Sequence, residues 1–192
     1  MRPSFPLALT LAASVALSEP AGAQDPWSLA DQEIHRLTPA AFRQLPASVI
    51  AALEEKRCTI PQSSPDSIPH NVIRGSFGKK GQTDWAVLCS RARASTIVIV
   101  WGGPAACPDE MEVRKDRSYL LKDSEDRIRF SRRIEVAEPV YIIKMHERFG
   151  GEPPPPLEHQ GINDSFLGKG STIRYCKDNR WLELTGDQLG RP

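Results

Sequence analysis

The chain has 192 residues, with 25 lysines and arginines against 24 aspartates and glutamates, so its formal net charge is +1 at pH 7. This balance gives no long-range field that would attract nucleic acid or an anionic membrane, and no nucleic-acid partner is expected. The length is sufficient for one compact domain with its own apolar core.

The first residues have the pattern of a secretory signal peptide. Arg2 is followed by an apolar run from Phe5 to Leu17 and by small residues that end at Ala23. Such a run is shorter than the roughly 20 residues that cross a bilayer as a helix, and no cysteine follows it closely. The sequence therefore predicts a signal peptide over residues 1–23, with neither a lipid anchor nor a membrane span after cleavage.

The remaining residues, 24–192, are predicted to form a single periplasmic or secreted domain, and they contain all four cysteines. An even number of cysteines in an exported chain predicts two disulfides. Of the three possible connectivities we favour Cys58 with Cys89 and Cys107 with Cys176. Pairing Cys89 with Cys107 would require the chain to fold back soon after a central strand. No C-x-x-C pair is present, so zinc and thiol-redox sites are not predicted.

Two helix starts of the same design precede the first cysteine. Thr38 is followed by Pro39, and Leu45 by Pro46, which places proline at the first helical position each time. The second helix is predicted to extend to about Arg57, and the residues before the first are predicted to be a polar lead-in. Together the two helices predict a small N-terminal cap. A DNA-binding helix-turn-helix is disfavoured because the pair has no basic face.

The densest apolar alternation follows, in DWAVLCS and STIVIVW, which the polar residues RARA separate. Trp85, Val87 and Cys89 alternate along one side of the first segment, as in a strand. The second segment, Ile97 to Val100, is apolar on both sides, and an exposed edge of that kind would pair with other chains. We therefore predict a hairpin whose second strand is central in its sheet.

One part of this region resembles a known repeat. The segment GSFGKKGQTDWAV, from Gly75 to Val87, is similar to the Gly-x-Phe…Gly-x-x-Asp-apolar-Ala-Val hairpin of FG-GAP and VCBS propeller repeats, and the chain as a whole resembles exported bacterial proteins. The resemblance implies a similar hairpin. In that family the loop carries acidic and Asn ligands for calcium, whereas here Lys79 and Lys80 accompany a single carboxylate, Asp84. No metal or other cofactor is predicted, and without further copies at a regular period neither is a propeller.

Arginines are concentrated in the next predicted strands. Strand structure is predicted within residues 110–121, and the alternating segment from Arg127 to Val136 is predicted to be one strand. Arg127, Arg129, Arg132 and Arg133 could together bind an anion. We favour a solvated strand face whose arginines pair with nearby aspartates and glutamates.

The C-terminal third adds a helix and a second hairpin. Glu138 and Pro139 open a helix that Gly150 closes, although β-branched residues leave a strand as the alternative. GEPPPP is predicted to be a stiff polyproline II spacer. Residues 162–167 are predicted to form a short amphipathic turn. Strands within residues 171–184 are joined by Asp178 and Asn179, which are turn residues.

Candidate catalytic residues are few, and no hydrolase, zinc-protease or nucleotide-binding motif is present. The nearest cluster is EHQGINDSF, in which His159 could act as a general base and Asp164 as its orienting carboxylate, with Asn163 beside them. A loop whose Asn and Asp cap the following turn explains the same residues, and we favour that interpretation.

These patterns predict an α+β fold, with a small N-terminal helical cap on a predominantly antiparallel β-sheet containing two hairpins. Our functional hypothesis is an exported binding or interaction protein without catalytic activity, whose partner is an envelope or extracellular protein. The alternative is a secreted hydrolase that uses the segment from His159 to Asp164. An enzyme should enclose His159 and a convergent carboxylate in one pocket, whereas a binding protein should show a broad exposed apolar or aromatic patch.

Overall fold

The computed structural model describes residues 25–63 and 68–187, so the predicted signal peptide lies outside the described residues. It has an α+β fold of three helices and twelve strands. The helices are α1 (Pro26–Glu33), α2 (Ala47–Glu55) and α3 (Pro139–Phe149), with 3₁₀ helices at Pro39–Ala41 and Asp116–Tyr119. The strands are β1 (Arg36–Leu37), β2 (Ile60–Pro61), β3 (Val72–Gly75), β4 (Asp84–Arg91), β5 (Ala94–Val100), β6 (Arg114–Lys115), β7 (Leu120–Lys122), β8 (Ile128–Phe130), β9 (Arg132–Ala137), β10 (Gly161–Phe166), β11 (Gly170–Lys177) and β12 (Arg180–Thr185).

All strand pairs are antiparallel, and they form two larger and two smaller sheets. The first four-stranded sheet has the order β3-β4-β5-β6, and the second has the order β12-β11-β10-β9. Strands β1 and β2 form one two-stranded sheet, and β7 and β8 form the other. Both predicted hairpins are present, as β4-β5 in the first large sheet and β11-β12 in the second.

The large sheets pack face to face, and each carries a helix on its outer face. On the outer face of the first sheet, Leu53 of α2 packs in the same apolar cluster as Val87. Between the sheets, Leu88 packs in the same cluster as Ile134 and Ile162. On the outer face of the second sheet, α3 packs against the apolar side chains of β11 and β12. The resulting order of layers is helix, sheet, sheet, helix.

The N-terminal elements differ from their prediction in two ways. The predicted lead-in contains α1, which begins at a proline after the N-cap residue Asp25, whose carboxylate accepts a hydrogen bond from the amide of Trp27. The helix predicted after Thr38 is only one 3₁₀ turn. Pro46 lies so close that the chain must become extended before it, which leaves no room for a longer helix. The second predicted helix is α2.

The central hairpin agrees with its prediction. Its turn residues, Ala92 and Arg93, both have positive φ, of 49° and 62°. That combination is typical of a type I′ turn, whose twist matches that of the strands. Strand β5 lies between β4 and β6 and is therefore central. The second hairpin has the same kind of turn, with φ values of 49° and 61° at Asp178 and Asn179.

Three predictions for the second half of the chain were wrong in detail. The single strand predicted over residues 127–136 is divided at Ser131 into β8 and β9, because β8 pairs with β7 whereas β9 pairs with β10. The amphipathic turn predicted over residues 162–167 is β10, which has buried residues on both faces. Between residues 110 and 121 the β-structure consists of an isolated bridge at Glu110, strand β6 and the start of β7, with a 3₁₀ helix between β6 and β7. Helix α3 forms as predicted and ends at Gly150, which has φ 70°.

The cysteines form two disulfides, Cys58 with Cys89 and Cys107 with Cys176, which is the connectivity that the sequence favours. The first joins the end of α2 to β4, and the second joins the loop after β5 to β11. One bridge thus fixes the cap on the first sheet, and the other links the two sheets. Two disulfides are typical of proteins that fold outside the reducing cytoplasm. No helix in the described ranges combines the length and apolar character that crossing a bilayer requires.

The turn of the short β7-β8 hairpin is stabilised by hydrogen bonds to the carboxylate of Asp123; we call this arrangement the clamp. Asp123 accepts hydrogen bonds from the side chains of Arg127 and Arg129, at 3.0 and 2.5 Å, and from the amides of Glu125 and Arg127, at 2.8 and 3.0 Å. Partial burial raises the pKa of Asp123, but these four hydrogen bonds outweigh it and hold the pKa below its ordinary value of 3.8. Two of the four arginines singled out in the sequence are therefore paired as expected, and a third, Arg133, pairs with Glu135 at 3.3 Å.

Replacing Asp123 with Asn should remove part of the acid sensitivity of the fold. A carboxyl whose pKa is lowered by folding stabilises the native state fully above its unfolded pKa, and this stabilisation is lost as the pH falls through the folded pKa. The difference in unfolding free energy between wild type and Asp123→Asn should be constant from pH 7 to about pH 4.5 and should shrink below about pH 4. Urea unfolding from pH 7 to pH 2 measures it.

Glu147→Gln, on the exposed surface of α3, provides the matched control because it makes the same chemical change at a distant site. A difference for Asp123→Asn that stays constant down to pH 2, or that matches the control at every pH, would contradict the clamp.

Candidate functional site

One end of the space between the two large sheets is polar. There Arg132 of β9 and Asp164 of β10 form a two-point ion pair, with Nε to Oδ1 and Nη2 to Oδ2 both at 2.9 Å. Their exposed fractions are 2% and 8%. Asp164 is directly opposite Ile134 in the ladder, so Arg132 is its diagonal neighbour on the inner face. Arg132 also donates from Nη1 to Ser95 of β5, at 3.0 Å to Oγ. This ion pair therefore contacts both large sheets.

The sequence prediction for Arg132 was wrong, because its side chain belongs neither to a solvated face nor to an exposed anion-binding face. The break at Ser131 starts a new strand whose inner face carries Arg132 and Ile134 together. Burial lowers the pKa of Arg132, but the charge and hydrogen bonds of Asp164 more than offset this effect, so its pKa is raised above the ordinary value. The arginine remains a cation inside the protein.

A pocket of about 410 Å³ opens beside this ion pair, between β6 of the first sheet and the inner face of the second; we call it the intersheet pocket. It has a charged side and an aromatic side. Its charged and aromatic lining residues include Arg114, Tyr119, Asp164, Phe166, Lys169 and Arg174.

The aromatic side of the intersheet pocket is tightly organised. The ring of Tyr119 lies edge-on to Phe166, with centroids 5.5 Å apart, and the guanidinium of Arg132 lies 4.5 Å from the centroid of Tyr119. Burial raises the pKa of Tyr119, so its hydroxyl stays neutral at physiological pH. This side can therefore offer apolar surface and a neutral hydroxyl.

The charged side is centred on Arg174. Its side chain is 13% exposed, and Nη1 pairs with Glu183 on β12. The Nε atom is buried, and no described residue accepts a hydrogen bond from it. Burial lowers the pKa of Arg174, and the nearby cations Arg132 and Arg114 lower it further, while Asp164 acts in the opposite direction. Arg174 is thus a cation held where positive charge is unfavourable.

The structure separates the two catalytic candidates, His159 and Asp164. His159 lines a different pocket and stacks on Tyr175, with ring centroids 4.3 Å apart. Its ring nitrogens lie 2.9 and 3.0 Å from the backbone oxygens of Gln160 and Cys176. Asp164 lines the intersheet pocket and lies in strand β10, which begins at Gly161. The side chain of Asn163 donates to Ser165 Oγ at 3.0 Å instead.

The loop that resembles an FG-GAP repeat is organised by hydrogen bonds to one buried carboxylate. Asp84 accepts from the amides of Phe77, Gly78 and Gly102 at 2.9, 3.2 and 3.1 Å, and from Gln82 Nε2 at 2.7 Å. Within the described ranges, no group of three or more His, Cys, Asp or Glu side chains could hold a metal ion.

A second concave surface follows the line where the edge strands β3 and β9 approach each other. This groove has a volume of about 530 Å³ and is lined by apolar and charged residues, including Val72, Ile73 and Val136. Asn71 closes one end, donating to the backbone oxygen of Arg132 at 3.2 Å and accepting from the amide of Ile134 at 2.9 Å. The groove is shaped by side-chain hydrogen bonds between the sheets.

The comparisons with known proteins return nothing: no protein-family model matches the chain, and no curated protein or solved structure matches it. Sequence analysis singled out Asp164, as a catalytic candidate beside His159, and did not single out Arg174 or Tyr119. The available signal was that Arg174 lies between Ile173 and Tyr175 in a strand, but such an arginine is usually solvated.

Breaking the buried ion pair should be costly only when one partner is left behind. Arg132→Met leaves the Asp164 carboxylate buried without its partner, and we expect a loss of about 3–5 kcal/mol in unfolding free energy. The double variant Arg132→Met with Asp164→Leu should recover most of this loss, because neither charge remains. Urea unfolding of the four members of the cycle gives the coupling energy. Additive losses in the double variant would contradict the pairing.

Proposed function

We propose that this is an exported binding protein without catalytic activity, which acts in the periplasm or after secretion, and that its ligand site is the intersheet pocket. The observation that carries the proposal is the buried Nε–H of Arg174, which has no acceptor among the described residues. A buried donor without an acceptor costs free energy, so a small movement of the Arg174 side chain toward a ligand that accepts from Nε breaks no existing hydrogen bond at that nitrogen and recovers the cost.

The positions of the catalytic candidates support binding over hydrolysis. A general base must present a lone pair to its substrate within hydrogen-bond reach. Both ring nitrogens of His159 face backbone carbonyls, and both carboxylate oxygens of Asp164 accept from Arg132. A hydrolase built on this segment would have to break these contacts and bring the two side chains together.

The compartment is supported by two independent features. The N-terminal sequence has the pattern of a signal peptide, and the two disulfides brace the cap and both sheets. A covalently braced scaffold keeps the pocket in its binding geometry, which reduces the ordering cost of binding. The protein binds its ligand outside the cytoplasm, and this ligand is either a small molecule or part of an envelope or extracellular protein.

Native mass spectrometry of the mature protein, after equilibration with envelope and secreted fractions of its source, tests this function. We expect a bound species that is recovered chemically unchanged. Thr172 lines the pocket, so Thr172→Phe should abolish binding by filling it, while His159→Ala should bind as the wild type does. Conversion of the bound species by wild type but not by His159→Ala would establish the hydrolase instead, and binding unaffected by Thr172→Phe would exclude this pocket.

A further inference from the structure

The charges around the intersheet pocket are unequal once the internal pairs are assigned. Asp164 is matched by Arg132 through both carboxylate oxygens. The lining then retains three cations, Arg114, Lys169 and Arg174, and one anion, Glu183. The excess of positive charge lies in a partly desolvated space, where its field is less screened than at an open surface.

None of these three cations is fully occupied by an internal ion-pair partner, so each can still interact with a ligand. Arg114 pairs at 2.6 Å with Glu112, but both side chains are about half exposed, at 47% and 64%, so the pair is readily exchanged. Lys169 is exposed at the rim and forms no ion pair with another described residue. Glu183, the partner of Arg174, is 61% exposed and covers only the outer nitrogen of that guanidinium.

Arg174 supplies the directional part of the site. A guanidinium presents parallel N–H groups in a planar fork that fits two oxygens of a carboxylate or phosphate. Here the Nε–H is buried and has no acceptor among the described residues, while Nη1 is directed to Glu183. An oxyanion would complete the hydrogen bonding of this group and compensate its unfavourable position near Arg132 and Arg114.

The aromatic side of the pocket indicates the shape and polarity of the uncharged part of the ligand. Tyr119 and Phe166 meet edge to face at 5.5 Å, and the cation–π contact with Arg132 fixes the orientation of Tyr119. Two fixed rings beside an oxyanion site suit a flat, apolar body that carries the charged group.

We propose that the intersheet pocket binds an oxyanion carried on a small aromatic or apolar body, with Arg174 as the principal contact and Lys169 and Arg114 at the rim. The inference rests on the proposed function, because it names the ligand class of the same pocket. A carboxylate and a phosphate share the chemistry that the guanidinium recognises, and the probes below separate these two sources.

Isothermal titration calorimetry with benzoate, phenyl phosphate, inorganic phosphate and the neutral analogue benzamide tests the proposal. We expect benzoate or phenyl phosphate to bind, inorganic phosphate to bind more weakly, and benzamide to show no binding. The affinity for the better anion should fall by about tenfold or more in Arg174→Gln, as expected for lost hydrogen bonds between charged groups. Added salt should weaken binding.

Two further variants separate a ligand contact from a general loss of charge or of folding. Arg180→Gln removes the same charge from an exposed position on β12 and should change the affinity by less than about twofold. Lys169→Gln alters an exposed rim residue and should weaken binding by roughly threefold to fivefold, whether or not Arg174→Gln folds.

The outcomes distinguish this inference from the proposed function. Equal binding of benzamide and benzoate, or an affinity that neither Arg174→Gln nor Lys169→Gln changes, would overturn the oxyanion inference and leave a neutral-ligand binding protein. If none of the four probes binds and native mass spectrometry recovers a neutral bound species, the oxyanion inference is likewise overturned and a neutral-ligand binding protein remains. Hydrolysis of phenyl phosphate to phenol and inorganic phosphate that requires His159 would overturn the proposed function itself.

Discussion

The buried ion pair between Arg132 and Asp164 is the interaction on which the rest of this structure depends. Two charges inside a protein are tolerated only when each is closely paired and its remaining hydrogen-bonding groups are satisfied. Here the two-point contact and the bonds to Ser95 meet that requirement, but only if β9, β10 and β5 keep their relative positions. The same pair leaves Arg174, on the next strand, close to another cation.

The remaining features of the fold hold these strands in place. Cys107 and Cys176 connect the loop after β5 to β11, so the second sheet cannot move far from the first. At the opposite side, the side chain of Asn71 bridges the approach of β3 and β9. A pocket between two sheets that are fixed at both sides is preorganised, and a ligand bound there would order little of the protein.

Local signals in the sequence were sufficient for much of the fold. Period-2 alternation and the turn residues Asp178 and Asn179 predicted the α+β class and both hairpins, and an even number of cysteines in a chain predicted to be exported favoured the two disulfides. The pocket could not be predicted in the same way, because Arg132 and Arg174 look like solvated strand arginines until β9 is paired with β10. Strand β10 was missed because its polar residues are typical of a loop, and here Asp164 is buried only because Arg132 neutralises it. Helix α1 was missed because few apolar residues mark its buried face.

The most direct test of this account is the ¹⁵N–¹H resonance of Arg174 Nε, followed by NMR while phenyl phosphate or benzoate is added. We expect this resonance to shift on binding in the direction of a stronger hydrogen bond. The resonance of Arg132, which is already paired with Asp164, should change little. A ligand that saturates the protein without moving the Arg174 signal, or that moves only arginines outside the intersheet pocket, would contradict the assignment of this guanidinium as the binding group.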